Sequence, residues 1–394
     1  MAQMIYLDAI SALPPRPAVV AAMQPFLTEA WGNPMSPHAA GDRPRAALEQ
    51  ARAEVAALIG ADPREIIFTA SGSEANSLAI KGLAEVARGR RSRCQIITSA
   101  VEHPSVLAGC RALHARGVRT VVLPVDRLGR VDPAEVGANL TNQSCLVSIQ
   151  AASSEIGTLQ RIAEIGAIAR KRGVLFHVDA VAAAGRIPFD VSSLPVDAAS
   201  LSSSQLGGPP GVGALYLRRG VRLEAQIHGG TQERGRRAGL EDVPGIVGMG
   251  VAARLAKSEL PSLGGRLAPL AQRLTDGLRA ALNGWQVTGD PAHRLPGHLS
   301  VVIEFVEGEA LVMALSRDGV AAAAGVTCRE RTAWRASPTL LALGLDQPLA
   351  QGAVIFSLWP GNSAEEIARA VQVIARNVDH LRALSPLYAA RSRP

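Results

Sequence analysis

The sequence predicts an α/β fold: a mainly parallel sheet sandwiched by helices, with a second, smaller α+β domain. Three observations carry this. Seven short apolar runs (EIIFTA, QIITS, TVVLPV, CLVSIQA, VLFHVDA, DAASLS and GALYLR) follow one another between residues 65 and 218. Segments with apolar residues at helical spacing, such as SEANSLAIKGLAEVARG and RIAEIGAIARKRG, lie between them. After about residue 245 the texture changes to a long helix, two further strands and a closing helix. Strand and helix alternating in this rhythm builds parallel strands whose crossover helices cover both faces of the sheet.

Taken in order, residues 16 to 60 read as two helices. Apolar residues recur at helical spacing through RPAVVAAMQPFL and PRAALEQARAEVAALIG, and Gly60 ends the second. The alternating strands and helices follow. The long helix VGMGVAARLAKSEL opens the last part of the chain, with strands near HLSVVIEF and AVIFSL and a final helix from SAEEIARAVQVIARNVDHL. No internal repeat or low-complexity tract interrupts this order.

Composition narrows the functional classes. A chain of 394 residues with 47% hydrophobic content can bury a large core and more than one domain. No window approaches the roughly 18 uninterrupted apolar residues of a membrane span. The opening MAQMIYLDAIS has neither a basic leader nor an apolar signal core, so a cytoplasmic protein is expected. Cys94, Cys110, Cys145 and Cys328 have no CxxC spacing and are too few to staple such a chain, and are expected to be free thiols. The net charge of +7 comes from scattered arginine, with lysine only at Lys81, Lys171 and Lys257, which argues against nucleic-acid binding.

In open α/β sheets ligands bind at the carboxyl ends of the strands. Four loops there are informative. The first, 68-FTASGSEANSLAI-80, runs from a strand through small residues into a helix, so Gly72 and Ser73 can hold a phosphate on free N–H groups; alternatively Ser71 or Ser73 is only a helix cap. The second, 101-VEHPSVL-107, places His103 at a strand end, in a catalytic or a structural role. In the third, VLFHVDAVAAAG, Asp179 ends a buried strand and needs a partner, which is a protonated cofactor ring nitrogen, an arginine or a backbone N–H. The fourth, 200-SLSSSQLGGPPGVGALYLRRG-220, holds a PPGVG turn suited to close backbone approach.

In order, YLD, GNPMSPHAAG, FTASGSEANSLAI, EHPSVL, SSEIGT, HVDAVAAAGRIP, GPPGVGALYLRRG and GGTQERGRRAGLEDVPGIVG resemble the cysteine desulfurases, pyridoxal-phosphate enzymes of the class V aminotransferase group. The resemblance runs through nearly the whole chain. It implies the aspartate-aminotransferase-like fold, with a large cofactor domain over residues 16–256, a small domain from 1–15 plus 257–394, and a homodimer. Members of that family take sulfur from L-cysteine, leave alanine, and carry the sulfur as a persulfide on a loop cysteine. Carried over by position, the resemblance assigns phosphate contacts to Gly72, Ser73 and Ser202, ring stacking to His103, the ring-nitrogen partner to Asp179 and the persulfide cysteine to Cys328. Arg329 and Arg331 favour a thiolate at Cys328 if they approach it.

The same resemblance exposes departures at the site. Gln205 stands where the family has its Schiff-base lysine, and Ser204 where it has the adjacent histidine. Ala182 and Ser154 replace a glutamine and an asparagine beside the ring, Leu240 a threonine that reaches the partner subunit's phosphate, and Ile355 the arginine that clamps the substrate carboxylate. A glutamine amide is not nucleophilic and takes up no proton, so the family's main catalytic group is missing. Pyridoxal phosphate is therefore expected to be non-covalent or absent.

Three functions follow from this pattern. One is a catalytically impaired homologue in sulfur or iron–sulfur metabolism, acting as scaffold, regulator or sulfur relay through Cys328 with a donor or acceptor protein. Another is an active desulfurase, or related class V enzyme, using non-covalent pyridoxal phosphate. The last is a subunit of a heterodimer with an active desulfurase.

Overall fold

The computed structural model describes residues 4–89, 94–325 and 336–391. The chain opens with a short strand, β1 (Ile5–Tyr6), and two helices, α1 (Pro17–Thr28) and α2 (Ala39–Leu58). Gly60, just past α2, takes a left-handed φ of 68°, as a helix-ending glycine should.

The predicted apolar runs form one sheet. Its strands are β2 (Ile66–Thr69), β3 (Cys94–Ser99), β4 (Val118–Leu123), β5 (Ser144–Gln150), β6 (Leu175–Asp179), β7 (Ala198–Ser202) and β8 (Gly213–Leu217), in the spatial order β2-β8-β7-β6-β5-β3-β4. Five neighbouring strands, β7 to β4, are parallel, and β8 alone runs against those beside it. Every residue of β3 and β5 is buried, because helices cover both faces.

The connecting helices are α3 (Gly72–Arg88), α4 (Pro104–His114), α5 (Pro133–Asn139) and α6 (Ile162–Lys171). On one face Leu78, Ile80 and Leu83 of α3 pack with Ile96 and Leu146 of the sheet. On the other, Ile149, Phe176 and Val178 pack with Val55 of α2.

After β8 comes a single turn, α7 (Gln232–Gly235), in which Glu233 and Arg234 hold left-handed φ values of 47° and 59°. A buried ion pair accompanies this strained turn: Arg52 Nη1 and Nη2 each donate to Glu233 at 2.8 Å, and the Phe68 amide donates to the same carboxylate at 2.8 Å.

The helix predicted from VGMGVAARLAKSEL is far longer than that motif. It runs from Val243 to Ala281 (α8) through Pro261 and Pro269. Its first half packs Met249, Ala252, Ala253 and Ala256 into the core behind the large sheet, and its second half packs Leu263, Leu267, Leu274 and Leu278 into another core. Burial along nearly its whole length outweighs the hydrogen bonds that the two prolines remove.

That other core lies on a four-stranded sheet of β9 (Trp285–Val287), β10 (His298–Ile303), β12 (Ala323–Ala324) and β13 (Ala353–Ser357), while β11 (Val320–Ala321) pairs with β1. Helices α9 (Gly308–Arg317), α10 (Pro338–Ala342), α11 (Gln347–Gln351) and α12 (Ala364–Leu384) complete it. A reciprocal cap between Ser363 and Glu366 starts α12.

The expectation of free thiols is corrected for two cysteines. Cys94 and Cys145 form a disulfide across the adjacent strands β3 and β5, with Cα atoms 5.7 Å apart. A register shift between Gln95 and Ile96 brings them together, and their separation of 51 residues hides this in the sequence. Cys110 is free and buried, its thiol pushed up to about 12 by burial. Cys328 lies outside the described residues.

Candidate active site

A cavity of about 220 Å³ opens at the carboxyl ends of the strands. Gly72, Ser73, His103, Asp179 and Ser202 all line it, so the structure gathers five sequence-predicted residues that are spread over 131 positions, from 72 to 202. Each comes from a strand end, or from the start of the helix that follows a strand, on the same edge of the sheet.

The first wall is the start of α3. Ser71 caps the helix by accepting from the Glu74 amide at 3.1 Å, so the capping role falls to Ser71 and Ser73 is left to line the cavity. The first helical hydrogen bond here runs from the Ala75 amide to the Ser71 carbonyl, which leaves the earlier Gly72 and Ser73 amides outside the helical ladder. A side chain at Gly72 would stand 2.6 Å from Val181 Cγ2, so only glycine lets the turn sit this close. Ser202 faces the same space, its Oγ 3.2 Å from Ser204 Oγ. Backbone amides at a helix start with hydroxyls beside them make an anion cradle.

Asp179 is the end of β6 and is buried. Its Oδ1 accepts from the Val181 amide at 3.0 Å and its Oδ2 from Asn76 Nδ2 at 2.7 Å. Of the partners foreseen from sequence, the structure supplies a backbone N–H and no arginine. Burial raises its carboxyl above the ordinary value, against the opposing pull of His103, the Val181 amide and Asn76. A desolvated carboxylate at a cavity wall favours a cation in that cavity.

His103 caps α4. Its Nδ1 accepts from the Ser105 amide at 3.1 Å and lies 2.7 Å from Ser105 Oγ. The residue before it, Glu102, is buried, with Oε1 accepting from Ser99 Oγ at 2.6 Å and Oε2 from the Gln150 amide at 2.9 Å. Burial pushes its carboxyl up to about 8, and the field of Asp179 adds to this.

Gln205 does not line this cavity. It lies in a short turn, Ser203–Leu206, and its Nε2 donates to the carbonyls of Ile10 at 2.7 Å and Ser11 at 3.0 Å, while Oε1 accepts from Arg186 at 3.2 Å. No lysine lines the cavity either. Lys81 is nine residues into α3, about 14 Å along the axis from the anion cradle. Lys171 closes α6 ahead of β6, on the opposite edge of the sheet, and Lys257 lies in α8 near Asp190.

Ala182 and Ser154 also line the cavity, as their positions suggest. Ile355 is buried in β13 opposite Ser300, and Leu240 is 60% exposed beside a separate cavity of about 120 Å³. Sequence reading missed Asn76, Ser105 and Glu102. Asn76 lies four residues after Gly72, one turn on along the same helix face, and that spacing was the available signal.

These residues fit pyridoxal phosphate. The cradle of Gly72, Ser73 and Ser202 suits its phosphate, Asp179 suits a protonated ring nitrogen, and His103 suits the ring face. They do not supply the amine of a covalent anchor.

Known proteins resemble this chain over nearly its whole length. The aminotransferase class-V family matches residues 5–370. The chain is 40% identical to a cysteine desulfurase IscS of Methanosarcina thermophila, over 97% of this chain and 94% of that protein. It is 43% identical to a cysteine desulfurase IscS of Anaeromyxobacter dehalogenans, over 98% of this chain and 95% of that protein. Among solved structures, a NifS-like protein superposes with a TM-score of 0.89 at 34% identity, covering 96% of this chain and 100% of its own.

Proposed function

The chain belongs to the aminotransferase class-V family, among the cysteine desulfurases, and on that premise we propose that it binds pyridoxal phosphate non-covalently in the 220 Å³ cavity and acts, slowly, on cysteine in sulfur and iron–sulfur metabolism. The observation that carries this reading is a complete cradle with no amine: Asp179, His103 and the α3 turn face the cavity, while the Gln205 amide is bonded away to Ile10 and Ser11. When bound, pyridoxal phosphate supplies an electron sink for bonds at the substrate α-carbon.

The chain's own residues do the rest. The Asp179 carboxylate, held by Asn76 and the Val181 amide, favours a protonated nitrogen beside it. Among the described residues lining the cavity, only His103 and Asp179 are ionisable and neither is an amine, so none of them takes the place of the family's lysine as a mobile acid–base group. Loss of a positioned acid–base group costs about 10²- to 10⁴-fold in rate, so turnover by this chain is expected to fall below that of a lysine-bearing relative by that order.

The test combines a pyridoxal-phosphate titration, borohydride reduction with intact mass, and alanine release from cysteine. Saturable binding, no cofactor-mass adduct and slow alanine release are expected, with Gln205→Lys gaining the adduct and releasing alanine about a hundredfold faster. A borohydride-stable adduct on the wild-type chain would mean that a lysine reaches the site and would overturn the reading. Absence of saturable binding would overturn the cofactor assignment.

A second reading, a non-turning subunit that relays sulfur through Cys328 or completes an active homologue's site, is favoured by Ile355 in place of a guanidinium. It predicts no alanine above background and sulfur transfer that is lost in Cys328→Ser. The mass of complexes recovered from native cells distinguishes a homodimer from a mixed one.

A further inference from the structure

Two polar side chains, Asn76 and Ser105, lie between His103 and Asp179. The Asn76 amide nitrogen has two hydrogens and two acceptors: Asp179 Oδ2 at 2.7 Å and Ser105 Oγ at 2.9 Å. The reverse orientation would set the Asn76 oxygen against a carboxylate, so Asp179 dictates which way the amide faces. Asn76 Oδ1 is left buried and unpartnered, a cost accepted to keep that orientation. Ser105 Oγ, which accepts from Asn76, lies 2.7 Å from His103 Nδ1, and since that nitrogen already accepts from a backbone amide, the hydroxyl hydrogen turns to it. The Ser105 backbone amide donates to the same nitrogen at 3.1 Å. Two donors converge on Nδ1, which leaves no room for a proton there.

We propose that Asn76 and Ser105 are positioning residues that link Asp179 to His103 in one directed hydrogen-bond chain and fix the neutral His103 ring in the tautomer with its proton on Nε2. His103 therefore offers an N–H, as a donor, and the orientation of the group at the ring face depends on the group at the ring nitrogen. This catalytic consequence rests on the function proposed above; the tautomer does not.

The test is therefore made on cofactor-free protein carrying ¹⁵N-labelled histidine, with long-range ¹H–¹⁵N spectra assigning the His103 ring. One tautomer, protonated on Nε2, is expected in the wild type at neutral pH. Ser105→Ala should give mixed or exchange-averaged ring nitrogens, and Ser105→Thr, which keeps a hydroxyl, should restore the single form. Asn76→Ala should weaken pyridoxal-phosphate binding about tenfold or more, by loss of a hydrogen bond to a charged group. A wild-type ring protonated on Nδ1 or averaged between forms, or an unchanged single tautomer in Ser105→Ala, would overturn the proposal whether or not the cofactor binds. A fixed tautomer in protein that fails to bind pyridoxal phosphate would instead leave the chain standing and refute the functional reading alone.

Discussion

Replacing Glu102 with glutamine should make the protein more stable at pH 8 and leave it unchanged near pH 4.5. The carboxyl is fully buried between Ser99 Oγ and the Gln150 amide, and burial raises its pKa from 4.5 to about 8. A carboxyl with a raised folded pKa contributes stability that is fully present below the unfolded value of about 4.5 and is lost as pH rises through about 8. At about 1.4 kcal/mol per pKa unit, the loss across that window is roughly 5 kcal/mol. Glutamine has the shape of the protonated acid: its oxygen can accept from the Gln150 amide and its NH₂ can donate to Ser99, with nothing to ionise. Urea unfolding followed by tryptophan fluorescence, run on both proteins from pH 4.5 to 8.5, gives the difference directly. The gap should open with pH and reach several kcal/mol in favour of Glu102→Gln. A constant gap, or a variant less stable at pH 8, would show that Glu102 is ionised in the folded protein and that its burial has been misjudged.

Three further outcomes follow from the packing. Gly72→Ala should lower pyridoxal-phosphate affinity tenfold or more in a fluorescence titration and cost about 1–3 kcal/mol, because the new methyl group meets Val181 at 2.6 Å; unchanged affinity would remove the α3 turn from the site. Glu233→Gln should cost about 3–5 kcal/mol in urea unfolding, since it removes the buried carboxylate that pairs with the Arg52 guanidinium and leaves only the more exposed Glu49, whereas an apolar replacement of both Arg52 and Glu233 should cost much less. Alkylation after denaturation without reductant should modify Cys110 and Cys328 only, and after reduction all four cysteines, as read by intact mass; four additions without reductant would contradict the Cys94–Cys145 bond.

Much of the cavity lining was legible because its residues follow apolar strands. Asp179 ends VLFHVD, His103 follows QIITS by a few residues, and Gly72 and Ser73 open the helix after EIIFTA, so a parallel sheet places them on one edge. The direction of the Gln205 side chain was not legible. Position alone puts it where the family's lysine stands, but the amide is drawn out of the cavity by two backbone carbonyls of the N-terminal segment, 194 and 195 residues away in sequence. The span of α8 was hidden for a related reason: internal prolines disfavour a helix locally, and only two cores, one behind each half, make the continuous helix favourable.

The amino-acid sequence by itself determined the strand and helix order, the parallel sheet, the family and the absence of an amine at position 205, since periodicity, turn chemistry and residue identity are local properties of the chain. Tertiary structure decided what depends on partners distant in sequence. It joined Cys94 to Cys145, bonded the Gln205 amide to the carbonyls of Ile10 and Ser11, raised Glu102 by burying it, and connected Asn76, Ser105, His103 and Asp179 into one chain. Hydrogen-bond direction and desolvation are set by what surrounds a group in space, and no spacing along the chain encodes that.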